Sequence, residues 1–322
     1  MPDGGRFDGA LGVVAAIEAV SQLAAPLERT VTVVAFRDEE GARFGGGCFG
    51  SRALCGRLEA DELEKRDREG QTVAEALASL GLTPPPREGW IEGRVKFFLE
   101  THVEQGPRLG RAGAALGIVT SIAGTSGTTV TFTGRPGHAG TTPMEGRADA
   151  LSAAAVFALE ARRLARSIPE AVVTIGHLAV EPGAANVIPA QVTLTVDARA
   201  PDRARLTPLL AGIETAALKA AEHEGCGATC TRAWLYEPVA MSPEVMEPLR
   251  RAIASLECPS LELASGAGHD ASVLSAAGVP TGMLFVRSGA GGVSHTPEEW
   301  TDPADIGLAL DALAATLRTL RD

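Results

Sequence analysis

The chain has 322 residues, 45% of them hydrophobic, and carries 40 Asp and Glu against 29 Lys and Arg for a formal net charge of −11. That acidity, with no basic run, argues against a nucleic-acid or anionic-membrane partner, and no apolar stretch reaches spanning length. Cys48, Cys55, Cys226, Cys230 and Cys258 form no CxxC pair and Met1–Asp8 has no apolar signal core, so reduced thiols and a cytoplasmic location are expected.

Helical periodicity begins after Gly9, with Val13, Val14, Ile17 and Val20 on one face. The β-branched run Thr30–Phe36 predicts a buried strand, followed by the acidic loop Asp38-Glu39-Glu40 and the turn Gly45-Gly46-Gly47. Residues 57–96 are charged and broken by Thr83-Pro84-Pro85-Pro86, as in a surface excursion. An apolar run over 95–102 ends on His102. Then come strands over 117–123 and 127–134, a helix over 146–166, strands over 171–179 and 190–199, a helix over 206–223 and a strand over 228–236. This βαββαβ order is that of a ferredoxin-like split βαβ unit inserted into another domain. The reading is therefore an α/β domain with a central sheet (1–117 and 237–322) interrupted by a smaller domain (118–236). Past Pro238 the α/β pattern resumes and closes on a helix with Asp302 as N-cap, Pro303 in its first turn and a stripe of Ile306, Leu310, Leu313, Leu317 and Leu320.

Four candidate metal ligands stand at strand ends or in Gly-rich loops: Asp8, Glu40, His102 and His295. Imidazole nitrogens and carboxylate oxygens suit Zn²⁺ or Mn²⁺, and a dinuclear hydrolytic site also needs an unligated base nearby. Glu39, beside Glu40, suits that work. Spacing alone leaves the competing readings open, a solvated acidic turn and ordinary structural histidines.

The strings GGRFDGALGV, FRDEEGARF with GSRALCG, ETHVEQGP, GHAGTTPMEGRADA, NVIP with DAR, SGAGHDA and SHTPEE run through nearly the whole chain. Together they resemble the allantoate amidohydrolase, N-carbamoyl-L-amino acid hydrolase and β-ureidopropionase family, a branch of the aminoacylase/carboxypeptidase superfamily. The resemblance implies two divalent ions, Zn or Mn, with Asp8 bridging them, Glu40 and His295 on one ion and His102 on the other. It gives Glu39 the role of general base, and it makes the inserted domain a lid that also forms a homodimer and can reach the partner's site. His138 would polarise the scissile carbonyl, Asn186 and Arg199 would bind the substrate's amide and carboxylate ends, and Gln105 and His269 would line the pocket. An arginine fork is a natural carboxylate partner. Without the resemblance, Asn186 reads as a turn residue and Arg199 as a surface charge.

Family members carry a further ligand in an HxD motif ahead of the GGRFDG string, where this sequence starts. The expectation is an N-terminally truncated chain whose sheet lacks early strands, whose second ion has only Asp8 and His102, and which folds and acts poorly alone. The activity implied is hydrolysis of a ureido or carbamoyl C–N bond next to a carboxylate, with release of ammonia. Allantoate comes first as substrate, because FRDEEGARF with GSRALCG is similar to allantoate-type sequences. N-carbamoyl-L-amino acids or β-ureidopropionate come second. A peptidase or aminoacylase, or a non-catalytic homologue that binds ligand or dimerises, are the alternatives.

Overall fold

The computed structural model describes residues 5–23, 27, 29–85, 88–91 and 93–320; Gly4 of the first motif and Pro86 of the proline run lie outside them. The chain divides into two units, Met1–Ile122 with Ala240–Asp322, and Ala123–Val239.

The first unit opens with α1 (Ala10–Ser21), α2 (Phe49–Leu54), α3 (Val73–Ser79), β1 (Phe98–Val103), α4 (Arg108–Ala112) and β2 (Leu116–Ile122). Within the expected surface excursion, α3 is fixed by a capping box in which Thr72 and Glu75 satisfy each other's backbone amides. The predicted face of α1 is not the buried one. Leu11, Ala15 and Ala19 are buried, while Val14 and Ile17 stay 64% and 56% exposed. Small residues win here because the helix sits close to β1: a Cβ on Gly12 would lie 2.2 Å from the Thr101 carbonyl oxygen.

That contact also bears on the predicted strand at 30–36, which joins no ladder among the described residues. The amides of Phe98 and Glu104 bond to the carbonyls of Pro280, just before β9 (Thr281–Val286), and Val286 at its end, so the alternate residues Leu99, Thr101 and Val103 face β1's other edge. At Thr101 that edge is approached by α1 instead of a strand. Residues 30–36 run beside it without pairing, half-buried or exposed, and help line a cavity of about 980 Å³. A β-branched run supplies the tendency to be a strand, but a ladder also needs a free partner edge.

The second unit comprises β3 (Gly124–Thr133), α5 (Ala150–Ser167), β4 (Val172–Glu181), β5 (Gln191–Ala200), α6 (Arg203–His223) and β6 (Gly227–Tyr236). Its antiparallel sheet has the order β4-β5-β3-β6, the ferredoxin-like arrangement. The Asp149 side chain accepts the Leu151 and Ser152 amides and starts α5; Asp202 does the same for α6 through Arg205. Ala153, Phe157 and Ala161 of α5 and Leu209, Ile213 and Ala217 of α6 pack on Val130, Phe132, Leu194 and Val196. Each of the larger side chains contributes roughly 1.5–3 kcal/mol by leaving water.

The chain then returns through β7 (Val239–Ala240), α7 (Pro243–Ser255), β8 (Ser260–Ser265), α8 (Asp270–Ala276), β9 and α9 (Pro303–Thr319). The first unit's sheet runs β1-β9-β2-β7, with β8 also paired to β2. β1 is parallel to β9, β2 is antiparallel to β9, and β8 is parallel to β2. β2, expected to open the insertion, thus pairs inside the first unit. β9 is buried along its whole length, as a central strand covered on both faces must be. Asp302 caps α9 as its sequence predicts, by accepting the Ala304 amide. Among the described residues, no helix is long and apolar enough to cross a membrane.

An alanine in place of a helical glycine ordinarily stabilises by about 1 kcal/mol. Gly12→Ala should instead destabilise the chain by about 1–2 kcal/mol, because the new methyl meets the Thr101 carbonyl. The midpoint of urea unfolding measures the sign.

Candidate metal centre and general base

Glu39 and Glu40 are held by a loop, not by a strand end. The amides of Cys48, Phe49 and Gly50 donate to the carbonyls of Glu39, Asp38 and Arg37 at 2.7, 3.2 and 3.0 Å. Gly47 and Gly50 permit this zipper: a Cβ at either would stand 2.8 Å from the opposing backbone. His102 comes from β1, and Asp8 stands just before Gly9, the N-cap of α1. His295 lies on the loop between β9 and α9, with φ at 61°. Asp38, Cys48 and Gln105 also have positive φ, so non-glycine residues in strained backbone gather around the site.

Asp8 is the meeting point. Its Oδ1 lies 3.1 Å from His102 Nε2, and its Oδ2 lies 3.1 Å from His295 Nε2, which is also 3.1 Å from Glu40 Oε1. Burial works against the charged carboxylate of Asp8, but His102 and His295 prevail and hold its pKa below the usual value. One ligand atom from each of Asp8, Glu40 and His295 falls within 4.8 Å of the others. One imidazole nitrogen and two carboxylate oxygens are a donor set that fits a divalent ion of the Zn or Mn type. His102 stands on the opposite oxygen of Asp8. Its Nδ1–H donates to the Val103 carbonyl at 2.9 Å, which fixes the ring with Nε2 turned to Asp8. Gln105, expected to line the pocket, points into this group: its Nε2 donates to Asp8 Oδ2 at 2.9 Å and lies 3.3 Å from His295 Nε2.

Glu39 is the unligated carboxylate of the set. Burial and the charges of Asp270 and Glu40 raise its pKa to about 7, where a general base works near neutrality. The Cys48 thiol donates to its Oε1 at 3.6 Å. His269, also expected to line the pocket, is among the residues that line the cavity of about 980 Å³, where its ring is buried and hydrogen-bonded. Its Nε2 meets Ser265 Oγ at 2.8 Å, its Nδ1 lies 3.6 Å from Glu100, and its ring stacks edge-on against His102. It braces His102 and offers no open donor. Burial and the neighbouring charge of His102 keep its pKa well below the ordinary value, so the ring is neutral.

The remaining expected residues lie in the second unit. His138 Nδ1 accepts the Gly140 and Thr141 amides at 3.1 and 3.2 Å, which leaves the proton on an exposed Nε2. His138 bridges to Val187, and the Ala139 amide bonds to the Asn186 carbonyl at 3.0 Å, so these two loops lie together. Arg199 lies elsewhere, at the far end of β5, where its guanidinium grips Asp197 through Nε at 2.8 Å and Nη2 at 3.0 Å. The motifs gave no role to Ser294 or Glu299, which bond around Asp8; their place one residue before and four after His295 in the same string was the available signal.

Residues 2–319 match Peptidase family M20/M25/M40. The chain belongs to this family. It is 39% identical to an N-carbamoyl-L-amino acid amidohydrolase of Geobacillus stearothermophilus, over 98% of this chain and 78% of that protein. It is 33% identical to the allantoate amidohydrolase of Escherichia coli K12, over 99% of this chain and 78% of that one. Among solved structures, a putative amidohydrolase/peptidase from Burkholderia cenocepacia superposes with a TM-score of 0.89 at 35% identity, covering 100% of this chain and 79% of its own. The M20 fold thus accounts for both units of the chain.

Burial disfavours the charged imidazole of His102, yet Asp8 and Glu100 outweigh it and lift its pKa from 6.5 to about 9. In the metal-free chain this pairing should contribute stability that is fully present below pH 6.5 and lost as pH rises through about 9. Urea unfolding of the chelator-treated chain across that window should show the loss, and His102→Gln should remove it.

Proposed function

We propose that the chain is a metal-dependent amidohydrolase acting on a ureido or carbamoyl C–N bond in a small carboxylate-bearing substrate. Allantoate is the first candidate and N-carbamoyl-L-amino acids or β-ureidopropionate the second. The observation that carries this reading is Glu39, a carboxylate outside the candidate ligand group Asp8, Glu40 and His295 but beside it, with a pKa of about 7. The relatives named for allantoate and for N-carbamoyl-L-amino acids support the substrate class. The higher identity to the latter, 39% against 33%, is the observation that keeps the second substrate in play.

Asp8, Glu40 and His295 would hold one ion, with Asp8 and His102 facing a second; bound Zn or Mn supplies Lewis acidity toward the carbonyl and acidifies water. Glu39 takes a proton from the attacking water as the new C–O bond forms. It returns that proton to the nitrogen as the C–N bond breaks, and the nitrogen leaves as ammonia. His138 offers its Nε2–H to the carbonyl oxygen, where negative charge develops. Asn186 binds the amide end. Arg199 binds the carboxylate, which replaces Asp197 on the guanidinium fork. A reducing, cytoplasmic setting suits the five unpaired thiols.

These substrate groups imply a second copy. His138 and Asn186 stand near the start of β5 at Gln191, because Gly134 bonds to Ala190 and Ala139 to Asn186. Arg199 is eight residues further along the same strand, about 26 Å away at the usual rise. One small ureido acid cannot touch both sets within one chain, so a homodimer would supply His138 and Asn186 from one protomer and Arg199 from its partner. Among the described residues no strand pairs with the outer edge of β4, and exposed Val172, Leu178 and Leu159 flank it as a surface for that dimer.

Ammonia release from allantoate, N-carbamoyl-L-amino acids and β-ureidopropionate, with Mn²⁺ or Zn²⁺ supplied, should be detected and fall by about 10²–10⁴-fold in Glu39→Gln. Turnover of dipeptides or acyl-amino acids alone would reject the substrate class. Mixing His138→Ala with Arg199→Ala chains should restore about a quarter of wild-type activity, since half the two-fold dimers then hold one intact site. No recovery on mixing would reject shared sites.

A further inference from the structure

We infer that Glu299 is a positioning residue that sets the metal-holding geometry of Asp8. It does so by clamping the segment that carries Asp8 to the loop that carries His295. The inference rests on the reading of Asp8, Glu40 and His295 as metal ligands.

Glu299 is 1% exposed, a place where a carboxylate persists only if its oxygens are satisfied. Oε1 accepts two successive amides, those of Phe7 at 2.7 Å and Asp8 at 2.8 Å, and Oε2 accepts the Ser294 hydroxyl at 2.7 Å. Two adjacent N–H groups converging on one oxygen form a small anion-binding concavity. The partners come from opposite ends of the chain: Asp8 is 291 residues from Glu299 in sequence, and Ser294 directly precedes His295. One buried side chain therefore fixes both the backbone of Asp8 and the residue next to His295, whose ring nitrogen must stay 3.1 Å from Asp8 Oδ2.

The sequence makes room for this clamp at Gly5. A Cβ there would lie 2.1 Å from the Glu299 carboxyl carbon, and Gly5 is not among the positive-φ glycines. The glycine is thus required for space, not for backbone conformation. Its substitution should displace the carboxylate without removing it. Glu299 itself lies outside the group of ligand atoms and acts through Asp8.

The test is Mn²⁺ affinity of the full 322-residue chain, read by electron paramagnetic resonance, with Zn²⁺ calorimetry as a second readout; neither depends on turnover. Glu299→Ala should weaken Mn²⁺ binding by about 10–100-fold, the usual cost of losing a group that orients a ligand. Glu299→Gln keeps an oxygen for the two amides and should retain most of the affinity. Gly5→Ala should reproduce the loss with the glutamate present, and it stands in if Glu299→Ala fails to fold. Wild-type affinity in a folded Glu299→Ala or Gly5→Ala chain, whatever its melting temperature, would overturn the inference. So would a Glu299→Gln chain as weak as Glu299→Ala, since charge rather than position would then be at work. A wild-type chain that takes up neither ion would overturn the metal reading itself and this one with it.

Discussion

The carboxylate of Asp8 is where the first unit's chemistry converges, and most of the nearby structure keeps it there. One oxygen faces His102 on β1, and the other faces His295 on the loop before α9, each at 3.1 Å. Strand, helix start and late loop must therefore hold their relative places to within a few tenths of an ångström. The strand does so through its ladder with β9. Helix α1 does so by lying close against β1 at Gly12. A residue with a larger side chain at position 12 would push the helix, and Asp8 just before it, away from His102.

Electrostatics then divides the carboxylates of this crowded region. Asp8 stays charged because two imidazoles outweigh its burial. Glu39 and Glu100 lack such a balance, and burial lifts each to a pKa of about 7. Like charges at close range cannot all remain ionised in a poorly solvated pocket, so the groups least favoured by cations hold protons most readily. Burial, with the charges of Asp270 and Glu40 behind it, thus keeps Glu39 near neutrality, which suits the proton-carrying work proposed for it. His269, neutral and tied to Ser265, braces His102 without adding another cation to compete.

The sequence disclosed the parts with strong local logic. Asp302 before Pro303, the alternation in β3 and β5 and the βαββαβ order could each be read from short windows. The candidate metal ligands were legible as donors at loop ends, and the ordered motifs gave them partners. What local pattern could not supply was competition for space. Val14 and Ile17 look like a buried face, yet Leu11, Ala15 and Ala19 take it because the helix must sit close. Residues 30–36 look like a strand, yet β1's other edge is met by α1 at Thr101. Glu299 and Ser294 were visible only as letters in a motif. Their partners lie about 290 residues away, and no period or spacing carries that information.

The second unit shows how a fold constrains a function before any ligand is present. Its sheet places His138 and Asn186 at one end and Arg199 at the other, and β5 runs continuously between them. A strand cannot shorten, since each residue advances about 3.3 Å. Loop motion of several ångströms would not close the gap, nor would a rotamer change of Arg199. If both ends serve one substrate, their meeting has to be arranged outside the chain, and a two-fold axis is the simplest such arrangement. On that reading the length of β5 is functional: it separates the two sets of substrate groups, so neither protomer completes a substrate site without the other.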